Sequence, residues 1–270
     1  MPTRILQFGQ GVFLRGFVDS MVELLNERCG LDAGVVIVRP TSRSTAPLMT
    51  APYHLLLQGL DETGTPLRQW QRISCVQREL DLAHHFDDYL TLAHEPLLRF
   101  VVSNTTEAGI AVNDSDRFDD RPPAAFPAKL CRWLHARWQH FEGDAARGVY
   151  LLPCELIEAN GAALRAAVLH FAALWRLEPA FVQWLTEACH FCSTLVDRIV
   201  SGAPPEQERA ALEVELGQPD AFMVCAEPYH SWLIEGPAVL AQELKLSGSS
   251  LNVELVDDLR PYRMRKVGLL

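Results

Sequence analysis

Phe8 is followed by Gly9-Gln10-Gly11-Val12-Phe13-Leu14, and Gly16 comes two positions later. Glycines at this spacing, between an apolar run and an amphipathic one, let a backbone approach a diphosphate closely. The exposed N–H groups and dipole of the following helix then favour its negative charge. The third glycine of the G-x-G-x-x-G pattern is replaced by Leu14, so the residues fit a dinucleotide loop or an ordinary strand-to-helix turn. At the end of the second apolar run, where an acidic residue would hold a ribose 2′-hydroxyl, stands Arg39. It could stack on adenine or face a 2′-phosphate, which leaves NAD and NADP both open. A third set, Asn104-Thr105-Thr106-Glu107 after Ser103, offers amide and hydroxyl groups that could bond a nicotinamide ribose, or simply form a polar capping loop. Cys189-His190-Phe191-Cys192 has C-x-x-C spacing, but no second ligand pair follows it, and cysteine in an amphipathic context behaves as a small apolar residue. No metal site is expected.

These groups need elements to position them. Ile5 to Phe8 reads as a strand, Phe13 to Asn26 as a helix with Phe13, Phe17, Met21 and Leu24 at helical spacing, and Val35 to Val38 as a second buried strand. That is one βαβ unit. Tyr53 to Gly59 and Gln69 to Val76 flank the turn-type segment Asp61 to Gly64, which predicts a hairpin. Strands follow at Arg99 to Ser103 and Val149 to Leu152, and helices at Pro127 to Phe141, Gly161 to Leu174 and Pro179 to Cys189. After Pro204-Pro205 come a short acidic helix and strands near Phe222 to Cys225, Ser231 to Glu235 and Asn252 to Val256. Strand and helix alternation predicts an α/β fold with a largely parallel sheet.

The chain has 270 residues, 24 basic and 34 acidic, for a net charge of −10. That balance repels polyanions and argues against non-specific nucleic-acid binding or attachment to an anionic membrane. Apolar stretches such as Val35 to Val38 fall far short of the ~18 residues a membrane span requires. The start MPTRILQFGQG lacks a signal-peptide core, so a cytoplasmic protein with its seven cysteines reduced is expected. No G-x-S-x-G or G-x-x-x-x-G-K-[ST] pattern supports a hydrolase or phosphoryl-transfer reading.

Ile5 to Val18, the SNTTEAGI run from Ser103, Pro127 to Leu130, LPCELIEANG from Leu152, FCSTLVDRIVSG from Phe191 and VDDLRPYRMRKV from Val256 together resemble the mannitol dehydrogenase family of polyol-specific long-chain dehydrogenases. The resemblance implies NAD-dependent, metal-independent hydride transfer at a secondary alcohol of a small sugar acid. Gly9 to Leu14, with Phe8, would hold the pyrophosphate, and Asn104 to Glu107 would line the nicotinamide side. Lys266 matches the family's general acid/base. The Asn and His that follow it by five and eight residues in the family have no counterpart before Leu270. The resemblance further implies a Rossmann-like dinucleotide-binding domain over 1–255, with 256–270 the start of a C-terminal helical domain that is otherwise expected to be absent; turnover is then expected to be weak or lost, and the surface that domain would cover to be open to self-association. The alternatives are another member of the family, of the fructuronate reductase or mannitol-1-phosphate dehydrogenase kind, or a non-catalytic module that binds a nucleotide or a partner. Asn160 matches a polar contact to the substrate oxygen, or is a left-handed turn residue.

Overall fold

The computed structural model describes residues 1–39, 47–49, 52–61, 63–105 and 109–263. In chain order the elements are β1 (Thr3–Phe8), α1 (Val12–Gly16), α2 (Val18–Cys29), β2 (Gly34–Arg39), β3 (Tyr53–Leu60), β4 (Pro66–Ile73), β5 (Val76–Asp81), α3 (Phe86–Thr91) and β6 (Phe100–Ser103). They continue with α4 (Phe126–His140), β7 (Tyr150–Pro153), α5 (Asn160–Leu174), α6 (Pro179–Glu187), β8 (His190–Phe191), β9 (Ser193–Asp197) and β10 (Val200–Gly202). The last are α7 (Glu206–Leu216), β11 (Val224–Ala226), β12 (Ser231–Glu235), α8 (Val239–Glu243) and β13 (Val253–Val256).

Six strands form one sheet in the order β5-β2-β1-β6-β7-β8, every pair parallel. A parallel sheet covered on both faces needs strands apolar on both faces. The buried runs of β2, β6 and β7 meet that demand. Alternation then sorts the side chains. Ile5, Val35, Ile37, Phe100 and Val102 face Phe17, Met21 and Leu25 on one side. Leu6, Phe8, Val36, Val38 and Val101 face Trp133, Leu134, Phe171 and Phe181 on the other. Two smaller sheets, β10-β11-β3-β4 and β13-β12-β9, flank this core. The expected boundary at 255/256 falls at the last residue of β13.

Three departures from the sequence reading have physical causes. The segment Gln69 to Val76 is not one strand: β4 ends at Ile73, and β5 leaves the hairpin to pair with β2. Glu23 of α2 makes that corner by accepting the N–H groups of Ser74 and Cys75, each at 2.7 Å, and the Ser74 hydroxyl at 2.7 Å. The expected helix from Phe13 to Asn26 breaks at Phe17 (φ −122°, ψ −79°). There Arg198 Nη1 donates to the Gly16 carbonyl (2.9 Å) and the Tyr53 hydroxyl to the Arg15 carbonyl (2.8 Å), diverting both from the helical ladder. Finally, β8, β9, β10 and α3 lie in segments whose periodicity is too short to read.

Behind the sheet, Arg137 is buried and serves four carbonyls: Arg147 (2.8 Å), Ala93 (3.0 Å), Glu95 (2.9 Å) and Leu98 (2.9 Å). Burial lowers its pKa to about 10, so it stays cationic at neutral pH. Arg137→Met strands those carbonyls and should lower the unfolding free energy by about 2–5 kcal/mol in urea titrations. A loss under about 1 kcal/mol would mean that water replaces the guanidinium.

Candidate active site

β1 is the strand from which the connections run in opposite directions, to β2 on one side and to β6 on the other. Its carboxyl end is the switch point at which ligands bind in open α/β sheets. Gly9 sits there with φ +118°, and its N–H donates to the Val38 carbonyl at 3.1 Å. A Cβ at Gly9 would lie 2.9 Å from the Asn104 carbonyl oxygen, so both conformation and space require glycine. Because its amide is committed to β2, Gly9 contributes shape rather than a donor. Gln7, buried beneath it, donates to the Gly9 carbonyl at 3.3 Å.

Gly11 has the opposite surroundings. It is exposed and extended (φ −60°, ψ 154°), and a Cβ there would meet nothing within 4 Å. Helical bonding starts with the Arg15 N–H on the Gly11 carbonyl (3.4 Å), so Val12, Phe13 and Leu14 occupy the first turn, whose N–H groups have no carbonyl four residues back within the helix. Open space beside Gly11 together with those donors suits a diphosphate. The other expected loop residues act through the backbone or the core. Phe8 packs against Phe126 (4.8 Å) and Tyr89 (5.9 Å), Phe13 stacks on Phe17 (5.0 Å), and Leu14 is buried. Gly16 takes over the close-packing duty of the missing third glycine, since a Cβ there would lie 2.8 Å from Val200.

Across the switch point, the Asn104 N–H donates to the Phe8 carbonyl (3.1 Å) and its amide to the Cys154 carbonyl (2.7 Å). Thr105 gives its N–H (3.0 Å) and hydroxyl (2.9 Å) to Glu155 Oε1, while the Ser103 hydroxyl reaches Oε2 at 3.1 Å. Burial raises the pKa of Glu155, and the three donors oppose that shift. Glu155 was missed from sequence, although a carboxylate directly after an apolar run at the sheet edge was the available signal. Thr106, Glu107 and Lys266 lie outside the described residues.

Two expected contacts are structural in this molecule. Arg39 is 3% exposed, with Nε 2.9 Å from Glu79 Oε1 and Nη2 on the Pro47 carbonyl (3.2 Å), so little of it is left to stack on adenine or meet a 2′-phosphate. The Asn160 amide donates to the carbonyls of Pro153 (2.9 Å), Glu155 (3.0 Å) and Thr194 (3.1 Å), and its oxygen accepts from the N–H groups of Gly161 (2.9 Å) and Thr194 (2.8 Å). Both N–H bonds are used, so Asn160 is a clamp between strands rather than a free substrate contact. The left-handed residue is its neighbour Ala159 (φ 48°, ψ 47°). Cys189 and Cys192 are buried thiols whose pKa values burial raises to about 12.

A cavity of about 210 Å³ opens beside Glu155, lined by Glu155 to Glu158, Thr194 to Val196 and Arg263. Under the Gly9 turn, Asp19 is fully enclosed, with its Oδ2 accepting the Tyr53 hydroxyl at 3.0 Å. Burial raises its pKa from 3.8 to about 7.

An all-parallel six-stranded sheet with a glycine turn at its switch point defines a Rossmann-type domain. The chain belongs to the mannitol dehydrogenase family, whose mannitol dehydrogenase Rossmann domain matches residues 3–248. It is 51% identical over 272 residues to altronate oxidoreductases from Yersinia enterocolitica and from Klebsiella pneumoniae strain 342, matching 100% of this chain and 56% of each relative. The chain thus spans little more than half the length of these relatives. Its fold is similar to that of Pseudomonas fluorescens mannitol 2-dehydrogenase, solved with NAD and D-mannitol (TM-score 0.79, 23% identity, 100% of this chain and 56% of that one). A D-sorbitol dehydrogenase in substrate-free form is also similar (TM-score 0.78, 20% identity, 99% and 56%).

The two glycines should separate experimentally. Gly9→Ala is expected to lose about 1–3 kcal/mol of stability in thermal or urea unfolding. Gly11→Ala should leave stability unchanged while weakening NADH about tenfold or more by fluorescence titration, because the new methyl group intrudes where the diphosphate would lie. For Asp19, the folded carboxyl keeps a proton between about pH 4 and 7 that the unfolded chain has lost, so its contribution to stability falls as pH rises through that window. Asp19→Asn should remove that fall. Unfolding free energies of the two proteins should diverge from pH 4 to 7 and run parallel above it; a pH-independent difference would refute the assignment.

Proposed function

We propose that this chain is the cofactor-binding part of an NAD-dependent dehydrogenase that interconverts altronate and tagaturonate. The observation carrying this reading is the Gly9–Gly11 turn, locked against Asn104 and open at Gly11, at the sheet's switch point. Identity of about half to altronate oxidoreductases along the whole chain supports the choice of sugar acid.

In this reading the first turn of α1, from Gly11 to Leu14, holds the pyrophosphate. Asn104 and Thr105, with Thr106 and Glu107, line the nicotinamide side. NAD supplies the hydride acceptor when bound. Lys266 takes the hydroxyl proton of altronate as the carbonyl forms. An amine with a free pKa of about 10.4 needs desolvation or nearby positive charge to do this near neutrality. The commitment of Arg39 to Glu79 favours NAD over NADP, because a 2′-phosphate at the end of β2 would have to compete with a buried ion pair.

Calorimetric titration with NADH and NADPH tests the reading. NADH should bind, and more tightly than NADPH; heat at the noise level for both would overturn it. Formation of NADH from NAD by the 270-residue chain should be slow, and what there is should be faster with altronate than with mannonate or mannitol at equal concentration. A preference for either of the others would reassign the substrate.

A further inference from the structure

The cavity beside Glu155 has an uneven chemistry. Leu156, Ile157, Leu195 and Val196 supply apolar surface, and the Thr194 hydroxyl is already spent on the Pro153 carbonyl at 2.5 Å. Glu155 is covered by its three donors from Ser103 and Thr105, leaving Glu158 as the exposed carboxylate. Among the described lining residues the single cation is Arg263. Its backbone is fixed by an N–H bond to the Leu259 carbonyl (3.1 Å), yet its side-chain Nε is buried with no hydrogen-bond partner among the described residues. An orphaned guanidinium N–H is costly unless a ligand satisfies it, and its planar fork matches a carboxylate.

The position fits as well. Glu155 touches the Ser103–Thr105 loop with its carboxylate and lines the cavity, so a molecule in the cavity lies one side chain away from the loop on the nicotinamide side. A six-carbon sugar acid carries one carboxylate and several hydroxyls. One arginine for the acid and an exposed glutamate for hydroxyls is the complementary set.

We propose that Arg263 is the residue that recognises the substrate's carboxylate, making this cavity selective for sugar acids over uncharged polyols. The inference rests on the dehydrogenase reading for its choice of ligand, but its test does not depend on turnover. With the 270-residue chain saturated in NAD, D-altronate and its uncharged counterpart D-altritol are titrated by calorimetry and by the NMR shift of the Arg263 Nε–Hε group.

Wild type should bind altronate more tightly than altritol, with the Nε–Hε resonance moving on altronate alone. Arg263→Met should weaken altronate about tenfold or more, leaving altritol and NADH binding unchanged. Arg263→Lys, which keeps the charge without the fork, should fall between. Unaltered altronate binding in Arg263→Met, equal losses for altronate and altritol, or no altronate binding by wild type would each overturn the proposal. Failure of NADH binding with acid-selective binding intact would instead overturn the dehydrogenase reading alone.

Discussion

The contact on which the site depends is the close approach of two backbones at Gly9. Its N–H is held by the second strand, and the place a β-carbon would take is closed by the carbonyl of Asn104 beyond the sixth. A side chain at that point would push the first and sixth strands' loops apart and close the crevice between them. The neighbouring features of the candidate site are arranged around that constraint. Gln7 supports the turn from below, the helix starts at Gly11 rather than at Gly9, and the Asn104 loop is free to be tied down on its far side by Glu155.

Much of this was legible in the chain. The buried runs at Ile5, Val35 and Phe100 could only be strands of a sheet covered on both faces, and glycines directly after the first of them marked the turn. Boundaries failed where side chains captured main-chain groups from a distance. No local pattern announces that Arg198 takes the carbonyl of Gly16, or that Glu23 takes the amides of Ser74 and Cys75. Those bonds join residues far apart in sequence, and they decide where a helix breaks and a strand changes sheet.

Side-chain roles were the least legible layer. Arg39 and Asn160 stand where a ligand contact is plausible, but Arg39 is buried against Glu79 and Pro47, and both N–H bonds of the Asn160 amide are used by neighbours. A sequence gives the type of group at a position but not how many of its donors are already used. Glu155 and Arg263 went unread for the converse reason: what sets them apart is which bonds they make or, among the described residues, lack, and this emerges only when Ser103, Thr105 and Leu259 are brought beside them.

The saturation of Asn160 has a mechanical outcome. Of the five hydrogen bonds through one amide, three join Pro153 of the seventh strand to Thr194 of the ninth, out of reach of solvent that could compete for them. The large sheet and the small sheet containing that ninth strand are thereby tied together through one buried side chain. A change in the cavity's width that keeps these bonds intact has to fall on the largely exposed stretch from Leu156 to Ala159 or on the helical segment that carries Arg263.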